Sequence, residues 1–181
     1  MNLAKVHTLI SEEELQKRIK EVAEEINRDY AGKSVHLIGI LKGSVFYIVD
    51  LAKHLNCTVT MDFMSVSSYA NASKSSGVVR LIKDLDEPIE GRDVLVVEDI
   101  IDSGYTLSYL LDNLGKRNPK SLKLTTLLDK PDRRVVKGVD VDYVGFVIPD
   151  EFVVGYGLDY AEKYRNLPDI GILKPEIYEK K

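Results

Sequence analysis

Two carboxylates, Glu98 and Asp99, follow directly on the apolar run "VLVV", and "IIDSGYT" comes next. Ionised carboxylates accept hydrogen bonds and donate none, so such a pair suits the two donors of a vicinal diol. The same oxygens suit Mg²⁺. The residues that follow have the opposite preference. Ser103 and Thr106 supply hydroxyls, and Gly104 lets the backbone approach a ligand closely. A helix starting there would aim its first N–H groups at an anion. Carboxylates repel phosphate, so one ligand must carry a phosphate at one end and neutral hydroxyls nearby. A ribose 5-phosphate unit meets both demands. A plainer reading stands beside this one: Asp102 or Ser103 caps the next helix, and Glu98 and Asp99 are solvated charges at a strand end.

Other phosphate motifs fit less well. A Walker A loop needs G-x-x-x-x-G-K-[ST], and the chain has none. "GYGLDY" at 155–160 has two glycines of G-x-G-x-x-G, but Tyr160 stands at the third place.

The elements that must position these residues alternate along the chain. "SEEELQKRIKEVAEEINRDY" opens with Ser11 and has Glu14 three residues on, a capping box. Leu15, Ile19, Val22 and Ile26 then share one helical face. "SVHLIGIL" (34–41) reads as a buried strand, and "SVFYIVDLAKHL" (44–55) as a helix. "TVTMDFMSVS" (58–67) alternates as a half-buried strand does. "SSYANASKSSG" (67–77) is small and polar and reads as a long flexible loop, with "VVRLIKDL" (78–85) a strand after it. Strand 94–99 then leads through the loop into the helix "TLSYLLDNLGK", and "SLKLTTLLDK" (121–130) and "VDYVGFVIP" (141–149) are further strands. Strands alternating with helices predict an α/β fold with a largely parallel sheet. In such sheets ligands bind outside the carboxyl ends of the strands, where Glu98 and Asp99 fall.

Size and composition set bounds. A chain of 181 residues, 44% hydrophobic and 30% charged, suits one folded domain. A net charge of −4 argues against a general nucleic-acid binder. Cys57 is the single cysteine, which excludes an internal disulfide and a cysteine-rich zinc site. No run approaches the ~20 apolar residues of a membrane span, and the start has no apolar run long enough for a signal peptide. The cytoplasm is the expected location. His7, His36 and His54 are scattered and read as structural or exposed, and Cys57 and the methionines as packing residues.

The stretch 94–107 resembles the phosphoribosyl-diphosphate motif of the type I phosphoribosyltransferases. "LIGILKGSVFYIVDL", "DFMSVSSY", "LLDKPDRR" and "IPDEFVVGYGLDYAEKYRNLP" are similar to the hypoxanthine-guanine subgroup, in order, from about residue 9 to about residue 175. The core motif is shared across many phosphoribosyltransferases, and "LLDKPDRR" with "DEFVVGYGLDY" is far more specific.

The resemblance implies a type I fold over residues 1–181: a largely parallel twisted sheet flanked by helices, with a small hood from the N- and C-terminal segments over the carboxyl ends of the strands. It implies a purine salvage enzyme that joins hypoxanthine or guanine to the ribose of phosphoribosyl diphosphate, giving IMP or GMP and pyrophosphate. Glu98 and Asp99 match the residues that hold the ribose hydroxyls, directly or through Mg²⁺, with Mn²⁺ as the alternative metal. Asp102, Ser103, Gly104, Tyr105 and Thr106 match the 5-phosphate loop, and Asp102 also the general base near purine N7. Lys42 and Gly43 match a turn that binds pyrophosphate, where family members carry a cis bond corresponding to Leu41–Lys42. Arg165 matches a further pyrophosphate contact. Lys130 matches the residue that reads purine O6, Phe152 the ring that stacks on the base, and Val153 the backbone that reads its edge. Asp159 matches both the purine pocket and a second metal position, and Ser68 and Tyr69 a lid over the reacting centre. The implied partners are the two substrates and further copies of the chain, in a homodimer or homotetramer. From residue type alone, Lys42, Lys130 and Arg165 read as surface cations, Phe152 as core and Asp159 as a loop carboxylate. A nucleotide-sensing regulator on the same fold, and a transferase for another base, remain the alternatives.

Overall fold

The computed structural model describes residues 3–71 and 74–179. Among the described residues nine strands form two sheets. The larger has the order β4-β3-β2-β5-β6-β7. Its members are β2 (Ser34–Ile40), β3 (Thr58–Asn71), β4 (Lys74–Lys83), β5 (Asp93–Ile101), β6 (Ser121–Asp129) and β7 (Tyr143–Val147). All neighbours are parallel except β3 and β4. The chain leaves β2 toward β3 on one side and returns to β5 on the other, so the order reverses between β2 and β5. Ligands of open α/β sheets bind at such a switch point, beyond the carboxyl ends.

The near-continuous apolar runs of β2 and β5 follow from burial on both faces. Val35, Leu37, Leu95 and Val97 face a core shared with α1 (Glu12–Asp29) and α2 (Val45–Lys53). Ile38, Ile40, Val94 and Val96 face the opposite core, closed by α3 (Tyr105–Gly115). Helix α1 starts as expected: Glu14 N–H donates to Ser11 Oγ at 3.2 Å, and Ser11 N–H to Glu14 Oε2 at 2.8 Å. Its buried face is Leu15, Ile19, Val22, Ala23 and Ile26. Each large aliphatic residue buried there contributes about 1.5–3 kcal/mol relative to exposure.

The smaller sheet joins the chain ends in the order β1-β9-β8, all antiparallel. Here β1 is Val6–Ile10, β8 Val153–Val154 and β9 Ile170–Leu173, with a short helix α4 at Pro175–Tyr178 after it. This is the arrangement expected of a hood.

Two expectations need correction. The expected loop over 67–77 is strand at 67–71 and at 74–77: β3 runs to Asn71 and β4 begins at Lys74, with Ser68 opposite Val79 and Asn71 opposite Lys74. A partner strand supplies backbone hydrogen bonds that small polar composition alone does not forecast. The side chains of Ser68 and Tyr69 lie outside the described residues. Met64 is buried as expected, but Met61 is 44% exposed, because successive residues of β3 face opposite sides. Among the described residues no helix is long and apolar enough to cross a membrane.

Candidate active site

Glu98 and Asp99 lie on β5, three and two residues before its end. Asp99 N–H donates to Glu98 Oε1 at 3.0 Å, and Ile100 N–H to Asp99 Oδ1 at 2.7 Å. Burial raises both carboxyls; the Asp99 charge then carries Glu98 well above the usual carboxylate range. Two acids held this way call for a cation or for donors.

Beyond them Ile101, Asp102, Ser103, Gly104 and Thr106 surround, with Glu98, a cavity of about 120 Å³. Gly104 is the N-cap of α3 with φ +89°, a conformation that favours glycine. No side chain caps this helix, neither Asp102 nor Ser103, so the plain capping reading fails. The first N–H groups of a helix have no intrahelical acceptor, and here they open toward a phosphate-sized space.

The segment after β6 clamps this loop. Val135 N–H and Val136 N–H donate to Ser103 O at 3.0 and 3.1 Å, and Lys130 N–H donates to Ile101 O at 3.1 Å. Arg133 Nε–H donates to Asp102 Oδ1 at 3.0 Å. Asp102 Oδ2 has no partner among the described residues. Arg134 Nε–H reaches Asp102 O at 3.3 Å, and its Nη2 binds Asp129. Lys130 is only 7% exposed, far from the solvated lysine that residue type suggests. Its Nζ lies 4.0 Å from Asp150 Oδ1, and Asp150 Oδ2 lies 3.7 Å from Arg133 Nη1.

At the end of β2 the Leu41–Lys42 peptide is cis. A Cβ at Gly43 would overlap Asp99 Oδ2, and a Cβ at Gly157 would overlap Gly43 O. Two glycines thus let the turn, the acidic pair and the strap of residues 155–165 meet. Tyr156, Ala161, Glu162 and Tyr164 in that strap have positive φ. Such backbone strain in non-glycine residues gathers at functional sites. Lys42 Nζ binds Glu162 Oε2 at 2.8 Å, and Arg165 Nη2 approaches Glu162 Oε1 at 3.2 Å. The Lys42 hydrogen bond, then the Arg165 charge, lower the Glu162 pKa. Arg165 Nη1 also donates to Gly157 O at 2.7 Å, while its buried Nε has no partner among the described residues.

Asp159 does not join the acidic pair. It binds Arg165 at 3.2 Å and accepts Glu162 N–H at 2.8 Å. The structure therefore does not gather Glu98, Asp99 and Asp159 into one metal cage, and no group of three or more such ligands exists among the described residues. Glu98 and Asp99 still fit a hard cation whose other ligands are substrate oxygens and water, the habit of Mg²⁺.

In the hood, Phe152 stacks on Tyr178, with centroids 4.6 Å apart and planes at 21°, and meets Tyr160 edge-on at 5.8 Å. Tyr160 O–H donates to Ile177 O at 3.2 Å, fastening α4 beneath the ring. Val153 is buried in β8. Tyr105 is exposed at the first position of α3.

Sequence reasoning did not single out Arg133, Arg134, Asp150, Glu162 or Tyr178. Arg133 and Arg134 stand inside "LLDKPDRR", which was the available signal. Asp150 and Glu162 stand inside "IPDEFVVGYGLDYAEKYRNLP" in the same way, and Tyr178 had no signal beyond residue type.

Comparison with known proteins agrees with this geometry. Residues 8–161 match the phosphoribosyl transferase domain model. The hypoxanthine-guanine phosphoribosyltransferase of Bacillus subtilis is 56% identical over 171 residues, covering 94% of each chain. The bifunctional protein TilS/HprT of Listeria monocytogenes is 60% identical over 170 residues; the match covers 94% of this chain and 26% of that protein. The chain thus spans about a quarter of the length of the bifunctional relatives it matches. The crystal structure of a hypoxanthine phosphoribosyltransferase from Staphylococcus aureus superposes with a TM-score of 0.93 at 48% identity, covering 98% of this chain and 96% of that one.

Proposed function

The chain belongs to the phosphoribosyltransferase family, in its hypoxanthine-guanine group, and on that basis we propose that it transfers the 5-phosphoribosyl group of phosphoribosyl diphosphate to hypoxanthine or guanine. The observation that carries the reading is Glu98, buried and raised in pKa beside Asp99, in the wall of a cavity of about 120 Å³ that Asp102, Ser103, Gly104 and Thr106 also line.

The Ser103 and Thr106 hydroxyls and the first N–H groups of α3 hold the 5-phosphate. Glu98 and Asp99 hold the ribose hydroxyls and are the residues that would bind Mg²⁺ or Mn²⁺. The metal, when bound, supplies positive charge to the departing pyrophosphate. Lys42 and Arg165 supply the protein's share of that charge; Glu162 keeps the two cations together and is displaced by the anion they share. Asp159 supports the site by orienting Arg165.

The 6-oxopurine lies against Phe152, with backbone groups at Val153 along its edge. Lys130 donates to O6. A lysine has donors and no acceptor, so it favours an oxo group over the amino group of adenine. The purine nitrogen forms its bond to C1′ as the bond from C1′ to pyrophosphate oxygen breaks. The ring proton passes to Asp102, whose Oδ1 is anchored by Arg133 while Oδ2 is free to receive it. Charge developing on the ribose would attract water, so Ser68 and Tyr69 on the β3–β4 hairpin close over the centre. Phe46 and Val49 stay exposed on α2, which supports assembly with a further copy of the chain.

Steady-state assays with hypoxanthine, guanine, xanthine and adenine test the reading. Turnover of hypoxanthine or guanine with phosphoribosyl diphosphate, and little with adenine, is expected. Lys130→Ala should erode that preference, which in sites built to pair a polar group reaches about 10⁴-fold. A wild-type enzyme that prefers adenine, uracil or orotate would overturn the assignment of the base.

A further inference from the structure

The parallel sheet has a second open end. The starts of β2, β3 and β5 border a cleft of about 450 Å³, at the amino ends of strands whose carboxyl ends carry the candidate active site. None of its lining residues serves the transfer reaction described above.

The lining reverses the sign of the molecule. The chain has a net charge of −4, yet Lys33, Arg92 and Lys120 line this cleft against one acid, Asp93. Asp93 already accepts Ser121 Oγ–H at 2.6 Å. Neither ammonium, of Lys33 or of Lys120, has a partner among the described residues. Arg92 is fixed in place: Nη2 donates to Thr60 Oγ1 at 2.8 Å and Nη1 to Pro88 O at 3.5 Å.

The inner wall is polar and incompletely satisfied. His36 is 4% exposed and its Nδ1 lies 2.8 Å from the same Thr60 Oγ1. With Arg92 donating to that oxygen, the Thr60 hydroxyl proton is available to His36 Nδ1. The imidazole proton then sits on Nε2, which is buried without an acceptor. An orphaned buried donor is costly in a protein interior. Burial, then the Arg92 charge, hold the His36 pKa down.

We propose that this cleft is a second anion site that takes a phosphate-bearing small molecule, with Lys33, Arg92 and Lys120 directed at its phosphate. The space falls within the range of small-molecule sites, about 300–1,000 Å³. Unpaired ammonium groups beside an anchored guanidinium are the donors that phosphate recognition uses.

The test is a titration of the ¹⁵N-labelled full chain with inorganic phosphate, and separately with adenosine monophosphate, followed by amide chemical shifts. Sodium chloride at matched ionic strength is the control. Saturable shifts are expected at Ser34, Thr60, Arg92 and Lys120, beside a separate response at Asp102–Thr106. Tighter binding of the nucleotide would identify a nucleoside phosphate as the ligand, and equal binding free phosphate; both support an anion site. Lys33→Glu/Lys120→Glu should weaken the cleft response about a hundredfold, roughly tenfold for each ammonium removed. The same variant should leave the Asp102–Thr106 response and the turnover of purine unchanged. Shifts confined to Asp102–Thr106, shifts reproduced by sodium chloride, or a variant titrating like the wild type would overturn the proposal.

Discussion

Asp62 and Glu98 are both buried carboxylates on strands of the same sheet, and they are treated in opposite ways. Burial alone raises either one. At Asp62 the response to burial is complete: Phe63 N–H donates to Oδ1 at 2.7 Å, Asp86 N–H to Oδ2 at 2.8 Å, and Lys83 Nζ stands 3.8 Å away. These contacts, with a further hydrogen bond from the Glu87 backbone, outweigh burial and bring the pKa below the usual value. At Glu98 the nearest charge is another acid, Asp99, and the pKa goes up. A buried acid that the fold satisfies holds structure together. A buried acid that the fold leaves unsatisfied is kept ready for a ligand.

Experiment can separate the two carboxylates, and the largest effect should come from the metal. Chelation with EDTA should abolish transfer activity, and Mg²⁺ should restore it, because Glu98 faces another acid and the Arg165 charge does not offset the burial of Asp99. Full turnover in a metal-free preparation would mean that the pair is satisfied in some other way.

Next in size is the base. Asp102→Asn keeps the shape of the loop and removes the proton acceptor, so kcat should fall by about 10²–10⁴ with a much smaller change in substrate affinity. Asp62→Asn should leave kcat within about a factor of two, since surface and structural changes away from the reacting centre leave the chemistry intact. Equal losses in both variants would erase the distinction between the two regions.

Stability should show the contrast with reversed sign. Asp62→Asn keeps one acceptor oxygen, sets an NH2 group against a backbone N–H in place of the other and removes the charge that faces Lys83, and should cost about 1–3 kcal/mol. Glu98→Gln removes an uncompensated buried charge and should raise the stability of the ligand-free protein by about 1 kcal/mol. For a chain of this length that is a shift of about 2–4 °C in Tm, readable by calorimetry.

The smallest effect is in the pH dependence. The Asp62 pKa is lowered on folding, so its contribution is present above about pH 4 and lost as pH falls through the folded value. The Glu98 pKa is raised, so its contribution is complete below about pH 4 and lost as pH rises through the folded value. The Tm advantage of Glu98→Gln over wild type should therefore grow between about pH 4.5 and pH 7.5 in the absence of ligand. An advantage that shrinks over that interval would contradict the raised pKa.

Much of this molecule is legible one element at a time. The Ser11 and Glu14 capping box starts α1, the four-and-three spacing of Leu15, Ile19, Val22 and Ile26 buries one face, and the apolar runs of β2 and β5 mark strands buried on both sides. The candidate site is legible too where its parts are contiguous. "EDIIDSGYT" carries an acidic pair, an anion loop and a helix start within nine residues.

The rest lies between segments distant in the chain and depends on how they fold together. Arg133 reaches Asp102 across 31 positions, Glu162 reaches Lys42 across 120, and Tyr178 reaches the ring of Phe152 from the C-terminal helix. Residues 67–71 and 74–77 are strand because β4 lies beside β3, against the suggestion of their small polar composition. Asp62 and Glu98 each follow apolar residues on a strand, and in sequence only the adjacent Asp99 sets Glu98 apart. Their pKa values move in opposite directions because backbone donors from residues 86 and 87 fold onto one, while burial and a second carboxylate act on the other. Local propensity and periodicity act over a turn or a strand, so they are written in order along the chain. Desolvation and charge pairing act through space over a few ångströms, so they exist only once the chain has folded.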